Sequence, residues 1–403
     1  MRKRFLLPLF FFVAVFSFAD VGTLEKQFIK GSISEKITAV QEASGSDALF
    51  LAIKGMDYAI ENVAMLGTDR ELSALALASV LATPKLQGVD VQNVFHENEI
   101  ATISEKLIGI FNLFDDETVR LAVLDRLEGY TTDSNGATQT LLNDYLARAF
   151  NTDAAHNAVI KRTIELLGFL GNETSLTIIY NVWLTNKWPD SSESTKRSLV
   201  LLSSKSLTES MKILSNAELA DAARFFIALK DSTEISPVFL CELAENVLIL
   251  TINKAETLQD GDEVYRNAFL RLQTATLSAI SANQWAHASE IVNLNLTLAK
   301  NEYEAGILTD ELFAAIITAS AKLPTSELAQ LLSEYLAECN SKVEASKSDS
   351  EMPAKSVVLA LISALETLGD KTAFDNLLYV TYLPNYPQDV VDAARHALAS
   401  LKW

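Results

Sequence analysis

Glycine and proline are scarce in this 403-residue chain, at 14 and 8 residues. All-β sandwiches and barrels turn too often to be built from so few, whereas long helices with short connections need little of either. Cysteine is scarcer still, with only Cys241 and Cys339. Two cysteines do not make a disulfide-stapled scaffold, and there is no paired-cysteine zinc motif. Aromatic residues are 8% of the chain, few for a cleft that stacks rings on sugars. Positive charge is outweighed, with 33 Lys and Arg against 52 Asp and Glu and a formal net charge of -19. That balance excludes nucleic acid and anionic lipid surfaces as natural partners. Gly-x-Gly-x-x-Gly loops, phosphate loops and Gly-x-Ser-x-Gly elbows are absent, which removes the common nucleotide and hydrolase signatures.

What is present begins with the N-terminus, "MRKRFLLPLFFFVAVFSFAD". Arg2, Lys3 and Arg4 form a charged start, Phe5 to Phe16 an apolar core, and Ser17-Phe18-Ala19 a small-residue cleavage site. This tripartite pattern predicts a signal peptide over residues 1–19, cleaved after Ala19. The apolar core is short for a membrane span of about 20 residues. No second long apolar run follows, so no stable membrane span is expected after cleavage. The expected location is periplasmic or secreted, in a bacterium. Loss of the three basic residues takes the mature net charge to -22. Export permits a disulfide between Cys241 and Cys339, and burial as free thiols is an equal alternative.

The mature chain, 20–403, is 49% hydrophobic when counted with its leader, enough for a sizeable core. Its last segment, from Leu368 to Trp403, reads as helix, turn, helix. Phe374, Leu377, Leu378 and Thr381 form one apolar stripe, and Val391, Ala394, Leu398 and Leu401 a second. Gly369 ends the preceding helix, Asp370 caps the next, and Pro387 opens the last. The same unit lies 198 residues earlier. Leu170-Gly171-Asn172 falls on Leu368-Gly369-Asp370, Trp188-Pro189 on Tyr386-Pro387, and Arg197 on Arg395. From Val159 to Ser203, nine of 45 positions are identical to those 198 residues on. That offset is about five units of 40 residues, the period of helical-pair repeats. A further piece, "DDETVRLAVLDRLEGY", carries Asp116, Val119-Arg120 and an apolar stripe through Val123 and Leu127.

These pieces, 116–120, 170–172 and 368–370, resemble the HEAT-repeat family, whose second helices often begin Asp-x-x-Val-Arg and whose helices often end Leu-Gly-Asp or Leu-Gly-Asn. Two positions depart from the pattern. Asp392 stands where the family usually has Arg, and Glu193 where it usually has Val. The recognisable motifs cover about a third of the chain. The resemblance implies an all-α, right-handed α-α superhelix, a HEAT-like (armadillo-like) solenoid of antiparallel helix pairs over 20–403, with roughly eight to ten units. Elsewhere, "TDRELSALALASVLA" suggests a capping box from Thr68 to Glu71. "SPVFLCELAENVLILTINKAETL" suggests a long, well-covered helix. The polar stretch 341–353 reads as a connection between two helices of one solenoid.

Sites for chemistry are not evident. His96, His156, His287 and His396 are dispersed, with no His-x-x-x-His pair. "DGDE" at 260–263 begins like a calcium loop and lacks its remaining ligands. Asp115-Asp116 is explained by helix capping more simply than by acid–base work. Trp188 and Tyr386 recur at equivalent positions, so each is expected to cover the turn of its own hairpin, with an exposed partner-binding ridge as the alternative. Trp403 is expected to close the last hairpin likewise. No catalytic, metal or cofactor-binding residue is assigned, no cofactor is expected, and no partner-binding residue can be named without the register of the helices. The function expected is a non-catalytic protein-interaction scaffold or adaptor, with a protein partner carrying basic segments. Two alternatives stay open: an α/α-toroid enzyme acting on envelope polysaccharide, and a self-associating structural envelope protein.

Overall fold

The computed structural model describes residues 21–86, 97–130, 136–152, 156–255, 263–346 and 352–402. The leader, His96, most of the "DGDE" stretch and Trp403 lie outside the described residues. Among the described residues the chain is all-α, with twenty α-helices and no strand. One isolated bridge ties Asp370 to Lys402.

The chain divides into two compact units, 1–170 and 171–403. Among its described residues the N-terminal unit holds four helix pairs: α1 (Val21–Lys30) and α2 (Ile33–Glu42), α3 (Ser46–Leu66) and α4 (Arg70–Ala82), α5 (Glu97–Leu113) and α6 (Glu117–Leu127), α7 (Ala137–Asn151) and α8 (Asn157–Leu170). The C-terminal unit holds six: α9 (Glu173–Thr185) and α10 (Ser192–Ser203), α11 (Leu207–Asn216) and α12 (Leu219–Lys230), α13 (Pro237–Lys254) and α14 (Glu263–Ala282), α15 (Ser289–Glu304) and α16 (Asp310–Ser320), α17 (Ser326–Ala345) and α18 (Lys355–Leu368), α19 (Phe374–Val380) and α20 (Gln388–Ser400).

Within each unit the packing follows chain order. The second helices stack on one another, α2 on α4 on α6 on α8, and α10 on α12 on α14 on α16 on α18 on α20. First helices stack likewise, α1 on α3 on α5 on α7, and α9 on α11 on α13 on α15. Each helix therefore buries its apolar stripe against its own partner and the neighbouring pair. Phe225, Phe226 and Phe269 are fully buried in this way, each such side chain worth about 1.5–3 kcal/mol. Residues 341–345 of the expected connection are the last turn of α17, and α17 and α18 pack on each other within one unit.

The local signals explain the helix ends. Asp116 caps α6 by accepting from the Val119 amide at 3.0 Å. Asn172 and Ser175 form a reciprocal capping box at α9, and Asp370 accepts from the Thr372 amide at 2.9 Å. Gly369 ends α18 at φ 64°, a left-handed value suited to glycine. At α4 the expected box is displaced. The cap is Asp69, which accepts from Leu72 at 2.7 Å, because its carboxylate reaches the orphan amide one residue further on than Thr68 would. In α20 the buried face is Val390, Val391, Ala394, Ala397 and Leu401, with Leu398 half-buried beside it. The small Ala397 faces inward because α20 lies close on α18.

Basic side chains cap the carbonyl ends of preceding helices. Lys36 is buried, lies over the Phe28 and Tyr58 rings, and donates to the carbonyl of Phe28. Arg126 donates to the carbonyls of Thr83 at 2.8 Å and Leu81 at 3.2 Å. Arg120, the arginine of the repeat-like motif, donates to the Phe111 carbonyl at 3.3 Å. It also pairs with Asp115 and lies over both the Phe111 and Tyr145 rings. These contacts satisfy orphan carbonyls and place positive charge at the negative end of each helix dipole.

Candidate functional site: an aromatic pocket in the C-terminal unit

Each described histidine stands beside a glutamate, and none stands beside another histidine. His156 lies 3.4 Å from Glu117, His287 2.9 Å from Glu245 and His396 2.6 Å from Glu366. Glu245 also accepts from the Trp285 indole at 3.0 Å, and it holds the His287 pKa above the usual histidine range. Among the described residues no group of His, Cys, Asp and Glu is arranged to hold a metal ion, and no helix is long and apolar enough to cross a membrane. Cys241 and Cys339 are both free.

Of the recurring aromatics, Tyr386 does more than cover its own turn. Trp188 precedes the short 3-10 turn Pro189–Ser191 and is half-buried there. Tyr386 is buried, and its hydroxyl donates to Asn340 of α17 at 3.0 Å. Its ring therefore ties its hairpin to the pair before it, because the turn ahead of α20 points the side chain across the seam. Trp285 holds the same place ahead of α15, followed by the 3-10 turn Ala286–Ala288. The signal that finds it is an aromatic residue directly before a short turn and a helix.

The first helices α15 and α17 approach less closely than the other stacked pairs of this unit. A pocket of about 240 Å³ opens there. Its floor is Tyr303 of α15 stacked on Phe313 of α16, ring centroids 4.7 Å apart and 17° from parallel. Leu361 of α18 and Pro353 add apolar wall. Lys300 is on its lining, 2.9 Å from Glu338 and 3.2 Å from Glu304, with its ammonium 4.9 Å from the Tyr335 ring centre. Burial works against the Lys300 charge, but the two glutamates outweigh it and hold its pKa above the ordinary lysine range.

The pKa values of the Cys339 thiol and the Tyr303 hydroxyl in the pocket are both raised. Burial pushes the Cys339 thiol up to about 11, so it stays protonated at neutral pH and is a poor nucleophile. The Tyr303 hydroxyl donates to Asp310 at 2.8 Å, and burial together with that carboxylate pushes its pKa up to about 12. A general acid or base working near neutral pH needs the opposite tuning. Sequence reasoning missed this site because its walls come from α15 to α18, separated by up to 61 positions between Lys300 and Leu361. Only "KNEYE", 300–304, gave a local sign, as an i, i+4 pair of opposite charge beside an aromatic residue. Comparison of the chain with protein-family models, with curated proteins and with solved structures finds no match.

Proposed function

We propose that the chain is a non-catalytic protein-interaction scaffold, built from HEAT-like helix pairs and acting outside the cytoplasmic membrane once residues 1–19 are removed. The observation that carries this reading is the order of packing. Within each unit second helices stack on second throughout, and first on first except between α15 and α17, so the second-helix face is a continuous row. Such a row offers an extended surface with no need of a reactive group. The side chains at the pocket support the same reading, since its ionisable groups are held away from neutral-pH chemistry. The acidic balance, -19 overall, favours a partner with basic segments.

Affinity capture tests this. The purified mature chain is incubated with the envelope fraction of its own cells at low and at high salt. A reproducible protein partner, weakened by salt, supports the scaffold. No partner, together with turnover of envelope glycan by the purified chain, overturns it.

A further inference from the structure

We propose that the pocket between α15 and α17 receives one aromatic side chain from a basic peptide segment, with a neighbouring lysine or arginine of that segment seated on Glu304 and Glu338. This rests on the scaffold reading and gives it an address.

Size is the first argument. A cavity of about 240 Å³ falls below the roughly 300–1,000 Å³ of small-molecule sites and suits one large side chain. The lining is the second. Tyr303, already stacked on Phe313, and Tyr335 present ring surface to the space, and Leu361 and Val357 close it with aliphatic surface. Aromatic rings prefer such offset or edge contacts, worth about 0.5–1.5 kcal/mol beyond area.

Charge is the third argument, and it selects the flanking residue. Lys300 engages one oxygen of Glu304 and one of Glu338. With Lys342 also on the lining, the two carboxylates and two ammoniums of the pocket balance, and the excess of negative charge comes from the helices around it. Both glutamates are about half exposed, at 45% and 48% of the side chain, so a cation from outside reaches them without being buried. The surroundings supply that excess. From Lys300 to Ala345 the sequence carries eight carboxylates and three lysines. An acidic segment meets repulsion here, and a basic one is drawn in.

The test uses the full mature chain carrying ¹³C-methyl methionine, with Met352 at the pocket wall as reporter. Three blocked tripeptides are titrated: Lys-Trp-Lys, Glu-Trp-Glu and Lys-Gly-Lys. The expected result is a saturable shift of the Met352 methyl by Lys-Trp-Lys in the millimolar range. Glu-Trp-Glu binds about five-fold or more weakly, and Lys-Gly-Lys gives no shift. In the double variant Glu304→Gln/Glu338→Gln the preference for Lys-Trp-Lys over Glu-Trp-Glu disappears while tryptophan binding persists. Equal binding of the acidic and basic peptides by the unaltered chain overturns the proposal, as does an equal shift from the glycine peptide or no shift from any. The scaffold reading fails separately. A chain that captures a partner from the envelope fraction but shows none of these shifts retains the scaffold and loses the pocket.

Discussion

The side-chain amide of Gln273 on α14 lies 3.4 Å from the carboxylate of Glu302 on α15, in a seam that solvent does not reach. The same amide donates to Asn295 at 3.1 Å. The other oxygen of Glu302 has no hydrogen-bond partner. Burial pushes the Glu302 pKa up to about 7, against a partial opposing pull from Gln273. A carboxyl group in that state is carried protonated by the fold at mildly acid pH.

Stability of the C-terminal unit therefore depends on pH in a defined direction. Between about 4.5 and about 7 the folded chain holds a proton at Glu302 that the unfolded chain has released. Stability from this group is full below 4.5, falls as pH rises through that window, and is level above 7. The span is worth roughly 3 kcal/mol at most. Glu302→Gln is expected to leave stability near pH 4.5 unchanged and to raise it at pH 8 by about 2 kcal/mol. Urea unfolding of both proteins at the two pH values checks this. Equal destabilisation by the substitution at both pH values would refute it.

Much of the fold was legible because its signals are local. Asp116, Asn172, Gly369 and Asp370 each act on amides or carbonyls within a few residues, so spacing alone reveals them. The Glu302 cluster and the pocket were not legible. Glu302, Asn295 and Gln273 look like ordinary polar positions of amphipathic helices, and only the tertiary packing buries them. The turn position of Tyr386 is legible in its hairpin, but its reach to Asn340 depends on stacking against the preceding pair. The Ser32–Glu35 capping box of α2 is a local signal of the same kind.

Arg120 joins two helix pairs of the N-terminal unit through one guanidinium. Arg120→Ala removes its bond to the Phe111 carbonyl, its contact with two rings and its pair with Asp115. The expected loss is about 2–3 kcal/mol. Arg120→Lys recovers less than half, since an ammonium lacks the planar fork. Denaturation midpoints followed by circular dichroism measure both.

Gly55 of α3 faces Ser79 of α4 so closely that a methyl group there overlaps the serine hydroxyl. Gly55→Ala is expected to cost about 1–3 kcal/mol. The second change Ser79→Gly recovers most of it, and a double-mutant cycle in urea shows the coupling. Additive losses would mean that the two helices do not meet at this point.

Burial slows the chemistry of both thiols, Cys241 in the core and Cys339 half-buried on the pocket lining. Cys241 is buried, and burial raises the pKa of both cysteines. A thiol reagent at pH 7.5 is expected to titrate them slowly in the folded chain and both at once in denaturant. Fast reaction of Cys339 in the folded chain would contradict its placement.

The account stands most directly on stacking, in which each helix pair is held by its neighbours. Native-state hydrogen exchange read by mass spectrometry, at increasing sub-denaturing urea, tests it within the C-terminal unit. The expected result is graded protection. The pair α19–α20 has a stacked neighbour on one side only, so its amides open first, while α13 to α16 keep the highest opening free energies. A single opening free energy shared by all amides of the unit would contradict nearest-neighbour stacking, and with it the main support for a scaffold.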